Sequence, residues 1–265
     1  MRKSLFFFLF FLFLMQENLQ SAESALEKPE NIRRKSKDFY FFLPTPNSRK
    51  RECYPWEKEG ELSAPKITKE YFRCKGSSRN PQKMSDKNEV VVDCEGGGKH
   101  PLPFICGKEN VYPILLDLLN YVQKKTKKRV VVTCGHRCLR HNTYADYSRE
   151  NSASKHMMGA EVDFYVAGME KEPEKIIEIL QEFYRTDPLT KKQPEFAHFL
   201  RFQKATNVSI LPWYNKEIFI KLYQKQEGRD FDNQHGYPYI GIQVRYDRMS
   251  QENVTFSWEK VKGPS

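Results

Sequence analysis

The chain has no C-x-x-C pair, no internal repeat and, beyond residue 15, no apolar run long enough to cross a bilayer. The first absence disfavours a zinc-thiolate site, whose ligands usually arrive as close cysteine pairs. The second excludes solenoid and propeller arrays. The third leaves the mature chain without a membrane span, since a spanning helix needs about 20 apolar residues. Also missing are a basic stripe interleaved with aromatics, a zinc finger and an RNA-binding signature, so no nucleic-acid partner is expected. The formal net charge of +10 comes from scattered lysines and arginines, with short clusters at Lys124–Arg129 and Arg33–Lys37. It reads as a solvated basic surface that favours anionic surroundings.

What is present suffices for a globular protein. Apolar residues make up 39% and aromatics 14% of 265 residues, enough for one main domain with a smaller appendage. The start, MRKSLFFFLFFLFLMQENLQSA, has the layout of a secretory signal peptide over residues 1–22. It shows a positive tip at Arg2 and Lys3, an apolar run from Leu5 to Met15, and small residues at Ser21 and Ala22. Cleavage after Ala22 is expected, with an uncleaved N-terminal anchor as the alternative. The mature protein is then periplasmic or secreted. Export changes how the six cysteines read: an even number in an oxidising compartment favours disulfides over thiols. Cys134 and Cys138 flank a short turn and are expected to pair locally. Cys53, Cys74, Cys94 and Cys106 are expected to staple the N-terminal third.

Residues 23–50 are charged, proline-containing and aperiodic, and read as a linker or loose arm. Residues 51–108, with four cysteines and the run CEGGGKHPLPFIC, read as a small disulfide-supported β-rich extension. The main domain is expected over 109–265. Val111, Leu115, Leu118, Leu119 and Val122 fall at helical spacing, and a lysine-rich end suits the negative end of the helix dipole. RVVVTCG reads as a buried strand, Leu139–Arg149 as a helix, GAEVDFYVAG as a second strand, and EPEKIIEILQEFYR as a third helix with Pro173 in its first turn. EIFIKLYQ, PYIGIQVRYD and NVTFSWEKV read as three antiparallel strands. Helices followed by a terminal run of strands point to an α+β fold.

The chemistry concentrates in NSASKHMMGAEVDFYV, Asn151 to Val166. Strand alternation puts Glu161, Asp163 and Tyr165 on one face and Val162, Phe164 and Val166 on the other. Gly159 lets the chain turn between His156 and that strand. An imidazole and a carboxylate on adjacent segments are two of the three protein ligands that a catalytic zinc needs, with the fourth position left to water. Water there ionises near neutral pH.

Ser154-Lys155-His156-Met157-Met158-Gly159-Ala160-Glu161-Val162-Asp163 resembles the S-x-H-x-x-G-x-A-x-D motif of the zinc D-Ala-D-Ala metallopeptidases, which act on peptidoglycan peptides and share a fold with the Hedgehog signalling domain. The match holds at Ser154, His156, Gly159 and Asp163 and fails at the alanine, where Glu161 stands. A bulky acid there alters packing beside the metal or adds a group to it. VVVTCGHRCLRHN is similar to the strand-turn segment that precedes the motif in this family, with Arg137 at the family's arginine position.

The resemblance implies a Hedgehog/D-Ala-D-Ala-peptidase-like core, Zn²⁺ as cofactor, and His156 and Asp163 as metal ligands. It implies substrate contacts from Arg137, with Ser154 and His136 beside it. Asp232-x-x-His235 then offers a general base and a third metal ligand. A competing alignment uses IQVRYD and puts Arg245 where a histidine belongs, a cation that opposes metal binding. The expected activity is hydrolysis of peptidoglycan stem peptides by a monomeric enzyme. The alternative is a peptide-binding relative without catalysis. His100, His141 and His198 read as ordinary histidines. The sequons at Asn207-Val208-Ser209 and Asn253-Val254-Thr255 matter only in a eukaryotic secretory route.

Overall fold

The computed structural model describes residues 64–76, 80–85, 88–96, 100–105, 108–145, 153–225, 227 and 237–262. The expected signal peptide and arm, Cys53, Cys106, Asp232 and His235 lie outside the described residues. Along the chain run two short hairpins, β1 (Lys83–Met84) with β2 (Val90–Val91) and β3 (Phe104–Ile105) with β4 (Lys108–Glu109). Helix α1 (Pro113–Thr126), strand β5 (Val130–Cys134) and helix α2 (Leu139–Ala145) follow. A 3-10 turn, Lys155–Met158, leads into β6 (Glu161–Val166), and helix α3 (Pro173–Thr186) comes after it. Then come α4 (Pro194–Ala197), β7 (Leu200–Arg201), β8 (Trp213–Tyr214), β9 (Ile218–Tyr223) and β10 (Tyr239–Val244). The last elements are β11 (Tyr246–Asp247), β12 (Glu252–Asn253) and α5 (Trp258–Lys262).

The centre is a six-stranded sheet in the order β5-β6-β10-β9-β8-β7, antiparallel throughout. The arrangement is α+β, as the pattern of elements implied. Helix α1 starts at Pro113, where a missing N–H costs nothing, and ends with Lys127 in the left-handed conformation at φ 56°. Its Ile114, Leu115, Leu118, Leu119 and Val122 are buried. Helix α3 buries Ile176, Ile177, Leu180 and Tyr184 in the same way. Both faces meet Val162, Phe164 and Val166 of β6 and Ile240, Ile242 and Val244 of β10 in one core. Ile67, Tyr71, Phe72 and Leu102 of the N-terminal region join that core as well. Asn120 in α1 ties the region down, accepting from the Ile67 amide at 2.9 Å and donating to its carbonyl at 2.8 Å.

Two expectations change. The terminal segment NVTFSWEKV is not a third long strand: only Glu252–Asn253 pairs, with β11, and Trp258–Lys262 is helical. Val254 is buried in the core and Phe256 packs against it, so the segment's apolar residues serve the core without a sheet ladder. The expected disulfide framework is also not what the described cysteines form. Cys74, Cys94, Cys134 and Cys138 are free thiols. Cys134 and Cys138 do not pair locally because each faces a different group: Cys134 meets Arg137 and His156, while Cys138 meets Cys74 and Cys94.

Candidate metal centre

The sheet puts the chemistry on its non-core face. Val162 and Phe164 point into the core, so Glu161 and Asp163 point the other way, yet both are buried. A register shift between Val132 and Cys134 brings in a third group. Val132 pairs with Phe164 on the core face, but Cys134 pairs with Asp163. The extra residue in β5 is a bulge that turns Cys134 from the core face to the Asp163 face.

His156 arrives from the 3-10 turn. Ser154 caps that turn, its Oγ accepting from the His156 amide at 3.3 Å. Gly159 closes it at φ 66°, and a Cβ there would stand 2.9 Å from the Asn110 carbonyl oxygen. The imidazole Nδ1 donates to the Gly135 carbonyl at 2.7 Å. That fixes the tautomer and leaves Nε2 to face the strand, 3.4 Å from Asp163 Oδ2 and 3.6 Å from Glu161 Oε1. The ligand atoms of Cys134, His156 and Asp163 all lie within 4.8 Å of one another. Asp163 Oδ1 is buried without a hydrogen-bond partner among the described residues. It looks across β10 at Gly241, whose absent side chain leaves the space open: a Cβ would stand 2.9 Å from Oδ1.

Arg137, almost fully buried, sits at the back of this group. Its Nε donates to Cys134 Sγ at 3.0 Å and its Nη2 lies 3.8 Å from Asp163 Oδ2. Burial pushes the Cys134 thiol up, but Arg137 and His156 outweigh it and bring its pKa down to about 7. For His156, burial and Arg137 press the imidazolium down. Cys134, Glu161 and Asp163 more than offset them, and its pKa stands well above the ordinary value. The pocket therefore holds an excess of negative donors around Nε2 and favours a cation there. A carboxylate oxygen in search of a partner, an imidazole with its rear nitrogen tied to a carbonyl, and a second carboxylate alongside are a donor set that suits zinc.

The sequence-derived candidates divide clearly. His156, Asp163 and Arg137 come together. Ser154 lies beside them but acts on the His156 backbone. His136 turns its backbone toward Phe72, its amide donating to the Phe72 carbonyl at 2.5 Å. Its Nδ1 is buried without a partner among the described residues, and burial draws its pKa down to about 4. Arg245 is engaged elsewhere: its guanidinium donates to the Asn215 carbonyl and lies 4.7 Å over the Tyr214 ring. Cys134 is the member that sequence reasoning missed, because only the bulge turns it toward Asp163.

These features define a buried metal-site geometry carried on an antiparallel sheet. The model of the family described as Peptidase M15 matches residues 89–199, a stretch that contains Cys134, Arg137, His156, Glu161 and Asp163. That match supports the zinc D-Ala-D-Ala peptidase resemblance over somewhat less than half of the chain. No curated protein and no solved structure matches.

Proposed function

We propose that this chain is a zinc-dependent peptidase acting on peptidoglycan stem peptides, with a core of the Hedgehog/D-Ala-D-Ala-peptidase type. The observation that carries the reading is His156 Nε2 facing the carboxylates of Asp163 and Glu161 at 3.4 and 3.6 Å, with Nδ1 anchored on the Gly135 carbonyl. His156 and Asp163 would hold the ion, and His235 would be the third ligand. The connection that contains Asp232 and His235 leaves the sheet at Tyr223 and re-enters at Tyr239, two residues from Gly241, the register partner of Asp163. Two residues of strand span about 7 Å, so Tyr239 lies near the site.

When bound, zinc supplies Lewis acidity that polarises a peptide carbonyl and acidifies water at neutral pH. Arg137 contributes a fixed cationic fork, held by Cys134 and Asp163, for negative charge developing on the carbonyl oxygen. Asp232 would carry the proton from water to the leaving amine. Glu161 is itself held by Gln243, whose Nε2 donates to Oε1 at 2.8 Å. It adds a second negative oxygen next to His156 Nε2.

Digestion of purified muropeptides by the full chain tests this reading. Hydrolysis that stops with a chelator, returns with zinc, and is absent from His156→Ala supports it. Intact muropeptides together with a sheet site that takes up no zinc would instead favour the non-catalytic peptide binder. Zinc content equal to that of the parent chain in either His156→Ala or Asp163→Ala would overturn the ligand assignment.

A further inference from the structure

A second cluster of soft ligands lies in the N-terminal region, separate in composition from the His156 site. Cys74 Sγ and Cys94 Sγ are 3.6 Å apart, and Cys138 interacts with both thiols. Two sulfurs bonded at about 2.3 Å to one tetrahedral ion stand about 3.8 Å apart, whereas a disulfide holds them at about 2.05 Å. The spacing therefore suits an edge of a metal tetrahedron. One ring nitrogen of His100 lies within 4.8 Å of the Cys94 and Cys138 sulfurs. His100 Nε2 is buried without a hydrogen-bond partner among the described residues. The cradle is tight: a Cβ on Gly76 would stand 2.1 Å from Cys94 Sγ.

The surroundings resemble the outer shell of a thiolate site. The His141 amide donates to Cys138 Sγ at 3.3 Å, a contact that stabilises a thiolate. The Cys94 amide donates to Asp93 Oδ1 at 2.7 Å, and the same oxygen lies 2.6 Å from His141 Nδ1. Asn80 Nδ2 donates to the other oxygen of Asp93 at 2.6 Å. His141 also lies within 4.8 Å of Cys74 and Cys94, but its ring serves both Asp93 and Cys134, whereas His100 keeps a buried ring nitrogen without a partner among the described residues, so His141 reads as a wall of the site.

We propose that Cys74, Cys94, Cys138 and His100 form a second metal site, a closed structural one for zinc or a similarly soft divalent ion. It is independent of the peptidase reading. Three thiolates and one imidazole make a Cys₃His set with no position left for water, which is the structural rather than the catalytic pattern. The ligands come from four separate segments and would cross-link the N-terminal region to the start of α2. The missing C-x-x-C spacing is thus replaced by tertiary convergence.

The test counts zinc per chain in full-length His156→Ala/Asp163→Ala, which removes both ligands proposed for the sheet site. About one ion per chain is expected, falling to about none when Cys94→Ser or Cys138→Ser is added. Those variants risk misfolding, so a second readout uses the otherwise intact chain. Cobalt loaded into Cys53→Ser/Cys106→Ser/Cys134→Ser should give the near-ultraviolet thiolate charge-transfer band, because the three remaining cysteines all belong to this cluster. Absence of both zinc and that band, or recovery of a Cys74–Cys94 disulfide peptide from the purified chain, would overturn the proposal. Unchanged zinc in a folded Cys138→Ser chain would do so as well.

Discussion

The two soft-ligand clusters are built in opposite ways. Cys134, Glu161 and Asp163 sit on paired strands, with a bulge setting their facing, and His156 is delivered by a capped turn of four residues. The Cys74, Cys94, His100 and Cys138 cluster has little ladder beneath it, since the hairpins nearby are two residues per strand. A sheet holds side chains in place through hydrogen bonds shared along its length. A loop cluster has to be held by its own contacts. The comparison teaches that strand register sets the sheet cluster, whereas contacts between loop segments set the thiol cluster.

The largest way to break the comparison is at the imidazole. His156→Ala should abolish chelator-sensitive hydrolysis while leaving the circular dichroism spectrum and the unfolding midpoint near those of the parent. A collapse of the fold would mean that the sheet does not preorganise this site. Phe164→Ala strikes the layer beneath it. A fully buried phenylalanine lost from the core should cost about 3–5 kcal/mol in denaturant unfolding, and a cost below about 1 would contradict the packing described.

Arg137→Ala should lower kcat by roughly 10²–10³-fold with a smaller change in KM, if the guanidinium acts on charge formed in the transition state. An effect confined to KM would make it a ground-state binder. The smallest effect concerns the N-terminal region alone. Hydrogen bonds from Arg73 to Glu109, at 2.8 and 2.9 Å, hold the Glu109 carboxyl down to about 2. Its folded pKa lies below the unfolded one, so the pair's contribution is fully present above about pH 4.5 and is lost as pH falls toward 2. Glu109→Gln should flatten the acid limb of a stability–pH profile, and an unchanged limb would show that the pair contributes nothing there.

Much of the scaffold was readable from periodicity. The spacing of Leu115, Leu118, Leu119 and Val122 marked α1, and alternation in GAEVDFYV separated Asp163 from Phe164 before any coordinate. The terminal strand was misread because Val254 and Phe256 alternate like a strand, yet burial in a core demands only apolar contact and does not require a ladder. The cysteines were misread because parity and compartment say that thiols can pair, and nothing in their number says which ones meet.

The sequence by itself determined the long elements α1, β5, β6, α3, β9 and β10, the core faces of α1 and β6, and the S-x-H-x-x-G spacing around His156 and Asp163, since these depend on local backbone geometry and on where apolar side chains fall within a few residues. Only the tertiary structure decided that Cys134 turns toward Asp163, that Glu161 faces His156, that Cys74 meets Cys94, and that Cys94, His100 and Cys138 come together. Those outcomes rest on strand register and loop closure, which couple residues far apart along the chain through packing that local propensity does not encode.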